Sequence, residues 1–120
     1  MKHIKLVILF GSQATGKAGK RSDTDIAVLG DHPLTIGERV SLSGEIAKKR
    51  DVSEDDIDIT DLWHASPLLQ FQVAKYGELL EGTDFDFIRF KVLSWKRYQD
   101  TAKLRRLREK SLEHYFSGAT

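Results

Sequence analysis

The chain has 120 residues, 40% of them hydrophobic and 31% charged, with a formal net charge of +1 and no cysteine. This is one domain's worth of an ordinary globular composition. Disulfides are excluded, and the longest early apolar run, 6–10, is too short for a signal-peptide core or a membrane span, so a cytoplasmic protein is expected. The near-neutral total conceals two opposed patches: six acids and no base between positions 51 and 61, and eight bases against two acids between 91 and 110.

In chain order, residues 4–10 form an apolar run rich in β-branched and aromatic types, closed by Gly11, which reads as a buried strand. From Gly11 to Ser22 the chain is small, polar and basic, predicting a turn with at most a short helix. Residues 25–29, DIAVL, read as a second strand. After the turn at 30–33, Thr35 with Glu38 three residues on is a capping-box signature for a helix to about Arg50, with Ile36, Val40, Ser43 and Ala47 as its stripe and Leu42 and Ile46 beside it. Residues 56–62, DIDITDL, alternate with period two and predict a third, half-buried strand. Ser66 and Pro67 supply the N-cap and N1 residues of a short helix that stops at Gly77. A small edge strand is expected at 78–81. Beyond Gly82, the segment 84–116 has neither Pro nor Gly and repeats apolar residues at helical intervals, predicting one long helix or two joined ones.

The stretch LVILFGSQATGK, 6–17, nearly matches a Walker A phosphate loop, but Ala18 stands where the metal-binding hydroxyl is required. Only a few residues separate Lys17 from the next strand, too few for the crossover that parallel strands need. The glycines therefore serve another arrangement. Asp23 and Asp25 are two apart, so in an extended chain their carboxylates share one face and can converge on a site. Asp58, flanked by Ile57 and Ile59 that face the other way, can reach it from a neighbouring strand. Three such acids repel unless cations lie between them. Two-metal sites, with ions about 3.5–4 Å apart, clamp the attacking and leaving oxygens of an in-line displacement, and magnesium suits carboxylate and phosphate oxygens. Gly11 lets backbone approach a phosphate, Ser12 adds a hydroxyl, and together they make an anion pocket.

Gly11-Ser12, ten residues, Asp23-Thr24-Asp25 and a later strand Asp58 resemble the G-S-x10-D-x-D signature of the DNA polymerase β-like nucleotidyltransferases. The local run GSQATGKAGKRSDTDIAV is similar to the GSxARGxxxxxSDxDIAV of minimal nucleotidyltransferase (MNT) domains. The resemblance implies an α/β (α+β) fold with a small mixed sheet of three to four strands, helices packed on it and a long C-terminal helix. It divides the chain into a core at 1–83 and a helical extension at 84–120 of the same domain. Asp23, Asp25 and Asp58 are then the catalytic and metal-binding residues, with two Mg2+ ions implied. Gly11, Ser12 and Lys17 are expected to hold the triphosphate of ATP. Thr15 departs from the family's usual Arg and removes a guanidinium that Lys17, Lys20 or Arg21 would have to replace.

MNT proteins of this kind pair with HEPN-domain RNases in toxin–antitoxin modules. The implied function is an antitoxin that transfers AMP from ATP to a tyrosine hydroxyl of its HEPN toxin. Two alternatives stand beside it: a non-enzymatic antitoxin that masks its partner by binding, and a transferase acting on a small molecule. No membrane association and no direct nucleic-acid binding are expected. The basic C-terminal segment reads either as an amphipathic helix whose Lys and Arg stems cover the domain or as a docking surface for an acidic partner. Asp55, Asp56 and Asp61 read as a solvated strand edge. His3, His32, His64 and His114 show no paired metal-ligand spacing, and Trp63, Trp95, Phe71 and Phe90 read as core or interface.

Overall fold

The computed structural model describes residues 3–11 and 23–118. Its strands are β1 (Ile4–Phe10), β2 (Thr24–Gly30), β3 (Ile57–Asp61) and β4 (Glu78–Glu81), and its α-helices are α1 (Ile36–Arg50), α2 (Pro67–Tyr76) and α3 (Asp84–Gly118). The turn expected between Gly11 and Ser22 lies outside the described residues. One four-stranded sheet has the order β3-β2-β1-β4. β1 is antiparallel to both β2 and β4, and β2 is parallel to β3. The antiparallel β1–β2 pair is incompatible with a P-loop fold, whose first strands are parallel and joined by a crossover.

Helices cover both faces of the sheet, which is why β1 is a continuous apolar run rather than an alternating one. Leu6, Ile8, Ala27 and Leu62 point to one face and pack with Val73 and Ala74 of α2 and Phe90 of α3. Val7, Leu9, Ile26, Val28 and Ile59 point to the other and pack with Leu42 and Ile46 of α1. Each inward side chain of this size stabilises the fold by roughly 1.5–3 kcal/mol through removal from water.

Local signals placed the helix ends well. Thr35 Oγ1 accepts from Glu38 N (3.1 Å) and Glu38 Oε1 from Thr35 N (3.0 Å), closing the capping box. Ser66 Oγ accepts from Leu69 N (3.1 Å), with Pro67 following and Gly77 as the C-cap. The buried face of α1 differs from the expected stripe. Leu42, Ile46 and Ala47 are inside, whereas Ile36 and Val40 are 84% and 62% exposed. Arg39 explains the rotation: its Nη1 donates to Ile59 O at 2.6 Å, so this side of the first turns faces β3.

The acidic segment also divides differently. Glu54–Asp56 form a 3-10 turn, with Asp55 and Asp56 exposed as expected. Asp61 is not a solvated edge residue; it is 7% exposed. Its Oδ2 accepts from Leu34 N (2.9 Å) and its Oδ1 from Trp63 N (3.0 Å), pinning the segment before α1 and the turn after β3. Of the large aromatics, Phe90 is core and Phe71 stacks on Tyr98 with centroids 4.3 Å apart. Trp63 and Trp95 are half exposed, and the Trp63 indole donates to Gly30 O at 2.9 Å.

Candidate active site

Strand register brings the sequence-predicted acids together. Asp25 sits opposite Asp58 across the parallel β2–β3 pair, and opposite Phe10 across the antiparallel β1–β2 pair. Neighbouring strands are about 4.8 Å apart, so the two carboxylates start from adjacent backbone positions. Alternation along β2 puts Asp25 on the face of Ala27 and Leu29, and along β3 it puts Asp58 on the face of Leu62. Both therefore lie on the α2/α3 side, at the end of the sheet where β1 finishes and β2 begins. Asp23, two residues before Asp25, joins them from the approach to β2.

Electrostatics shows the same gathering. The Asp25 carboxyl is pushed above its ordinary value of 3.8, first by burial and then by the negative charges of Asp58 and Asp23. Among the described residues no Lys or Arg forms an ion pair with any of the three. Their ligand atoms do not draw together into a group within 4.8 Å of one another. Among the described residues the three are thus an uncompensated set of hard oxygen donors, the chemistry that suits a divalent cation such as magnesium.

Position 11 requires glycine for two reasons. Its φ is 74°, in the left-handed region that side chains rarely occupy, and a Cβ there would run into Asp25 Oδ2. Glycine here makes room for the Asp25 carboxylate. Ser12, Thr15 and Lys17 lie outside the described residues. A separate cleft of about 490 Å³, lined by Lys5, Trp63, Gln70, Arg89 and Arg97, opens at the opposite end of the sheet and takes no part in the acidic site.

The family model described as polymerase beta nucleotidyltransferase matches residues 1–86. The chain belongs to that nucleotidyltransferase family. It is 36% identical over 104 residues to the protein adenylyltransferase MntA of Aphanizomenon flos-aquae, an alignment covering 76% of this chain and 67% of the relative. MntA of Shewanella oneidensis is 38% identical over 96 residues, covering 80% and 67%. Among solved structures, a toxin–antitoxin complex with AMP-PNP superposes with a TM-score of 0.76 at 33% identity, covering 94% of this chain and 89% of that one. A Shewanella oneidensis complex of tri-AMPylated HEPN toxin with MNT antitoxin gives 0.69 at 31%, covering 94% and 86%. The polymerase β-like fold and nucleotidyltransferase chemistry expected from the G-S-x10-D-x-D pattern thus hold.

The histidines lie at the surface or partly packed, in keeping with the absence of paired ligand spacing. His3 and His32, 29 positions apart in sequence, stack with ring centroids 4.5 Å apart beside Glu38. No local spacing signals this, because the contact exists only once β1 pairs with β2.

Proposed function

We propose that this chain is an antitoxin that adenylylates its partner, moving AMP from ATP to a tyrosine hydroxyl of a cognate HEPN toxin and so silencing the toxin. The observation that carries the reading is the register pairing of Asp25 with Asp58 beside Asp23, in a chain whose relatives are named protein adenylyltransferases. Asp23, Asp25 and Asp58 would hold Mg2+, which when bound supplies charge neutralisation for the phosphates and a more acidic acceptor hydroxyl. Gly11, Ser12 and Lys17 would seat the triphosphate. Asp58, on the outer strand of the trio, would orient the acceptor hydroxyl and draw off its proton.

The hydroxyl oxygen attacks the α-phosphorus, an O–P bond forms, the α–β bridging bond breaks, and pyrophosphate leaves with the electron pair. Rate comes chiefly from alignment and charge compensation, as in other phosphoryl transfers. The test is positional labelling. ATP labelled at the α-phosphate should label the HEPN toxin, and ATP labelled at the γ-phosphate should not. Toxin labelled equally by both, or by neither, contradicts the proposal.

A further inference from the structure

Three segments converge at the pole of the sheet remote from Asp25. His3 precedes β1, His32 follows β2, and Glu38 lies in the first turn of α1. The strand rise of about 3.3 Å per residue puts this pole some 15–20 Å from the acidic trio. A backbone bond from Asp31 N to His3 O, 3.0 Å, ties the first two segments together. One ligand atom from each of His3, His32 and Glu38 lies within 4.8 Å of the others, the only such trio among the described residues.

The orientation of each group is set from behind. Asp31 Oδ1 is 2.7 Å from His32 Nδ1, which turns Nε2 toward Glu38 Oε1 at 3.2 Å. Thr35 N donates to the same Oε1 at 3.0 Å and fixes the carboxylate. Glu38 Oε2 meets His3 Nε2; both atoms are buried, and neither makes a hydrogen bond to any described group.

We propose that His3 Nε2, His32 Nε2 and a Glu38 carboxylate oxygen bind one zinc ion, with water completing a tetrahedral shell and Asp31 orienting His32. Two imidazoles and a carboxylate are a donor set that zinc accepts; tetrahedral zinc holds its ligand atoms about 3.3 Å apart, close to the 3.2 Å between His32 Nε2 and Glu38 Oε1, while His3 Nε2 must draw back from Glu38 to admit the ion. A carboxylate behind a ligating imidazole is the usual outer partner of such ions. The side chains of His3, Glu38 and His32 are 28%, 16% and 45% exposed, and since His3 Nε2 and Glu38 Oε2 are themselves buried, an ion would enter from the His32 side. Zinc takes only the deprotonated rings, so acid should compete with the metal. Bound zinc would clamp the start of β1, the segment after β2 and α1, without touching the transfer site.

The test uses the untagged full chain and Zn2+ alone. In a D23N/D25N background, which removes the acidic trio, one equivalent should bind, raise the melting temperature, and shift the ring 15N resonances of His3 and His32 but not those of His64 and His114. Added to that background, H3Q and H32Q should each weaken binding by more than roughly a hundredfold and D31N by about 10–100-fold. The ring spectra of the background itself keep the test decisive even if a further variant folds poorly. Rings that titrate with pH but ignore Zn2+ overturn the proposal. So does stoichiometric zinc that, in the D23N/D25N background, leaves both rings unmoved or survives H3Q and H32Q together.

Discussion

Asp25 shows at single-residue resolution how a site is built at the expense of stability. Burial and two like-charged neighbours raise its pKa, so between 3.8 and that raised value the folded chain binds more protons than the unfolded one, and stability falls as pH rises through this window. Above it, the cost is present in full. D25N should therefore raise the urea midpoint of the metal-free protein at neutral pH, with the advantage fading as pH drops below the window. A D25N effect of equal size at every pH would refute the charge origin. Asp61 is the opposite case, an acid whose two oxygens are each used by a backbone donor. D61N keeps one acceptor oxygen and leaves Leu34 N or Trp63 N unmatched, which should cost about 1–3 kcal/mol in equilibrium denaturation. Sequence alone separated these acids imperfectly. Asp25 and Asp58 were legible because a two-residue spacing and a strand alternation are local, whereas the buried role of Asp61 depends on a contact 27 positions away.

Elements were legible to the extent that their signals were local. The capping box at Thr35 and Glu38 and the Ser66-Pro67 start are side chain to backbone bonds within three residues, so sequence placed them closely. The face that α1 buries was not legible, because Ile36 and Val40 compete with Leu42 and Ile46 on periodicity, and the contact of Arg39 with β3 decides between them. Similarly hidden was Ser94, fully buried in α3 with its Oγ lacking a hydrogen-bond partner among the described residues. Its small side chain is enclosed without a partner for the hydroxyl, which contributes nothing there. S94A should stabilise the chain by about 1 kcal/mol, read as a shift in urea midpoint with an unchanged slope. Destabilisation by S94A would mean that the hydroxyl is hydrogen-bonded in solution.

At the scale of the whole molecule, the long helix sets the shape. The extents are 61 × 32 × 26 Å, and the 35 residues of α3 would by themselves span roughly 52 Å at helical rise. Its first half packs on the core through Phe90 and Ser94. Its second half leaves Leu104, Leu107, Leu112 and Tyr115 between 51% and 70% exposed. Sequence predicted a helix there and offered two readings of its bases; of the two, covering the domain does not suit a second half whose leucines are this exposed. Exposed leucines carry little folding energy, so L104E, L107E and L112E together should leave the melting temperature nearly unchanged. Under the proposed partnership, the same triple variant should weaken capture of the HEPN toxin; undiminished binding would exclude this half of α3 from the interface.

The account rests on three carboxylates acting as one catalytic group. The intact mass of the HEPN toxin after incubation with ATP, Mg2+ and this chain tests that most directly. Wild type should add whole AMP units, and D58N or a D23N/D25N double variant should slow the addition by at least roughly a hundredfold while remaining folded. A toxin that is neutralised with its mass unchanged, or one modified as fast by D58N as by wild type, would contradict it.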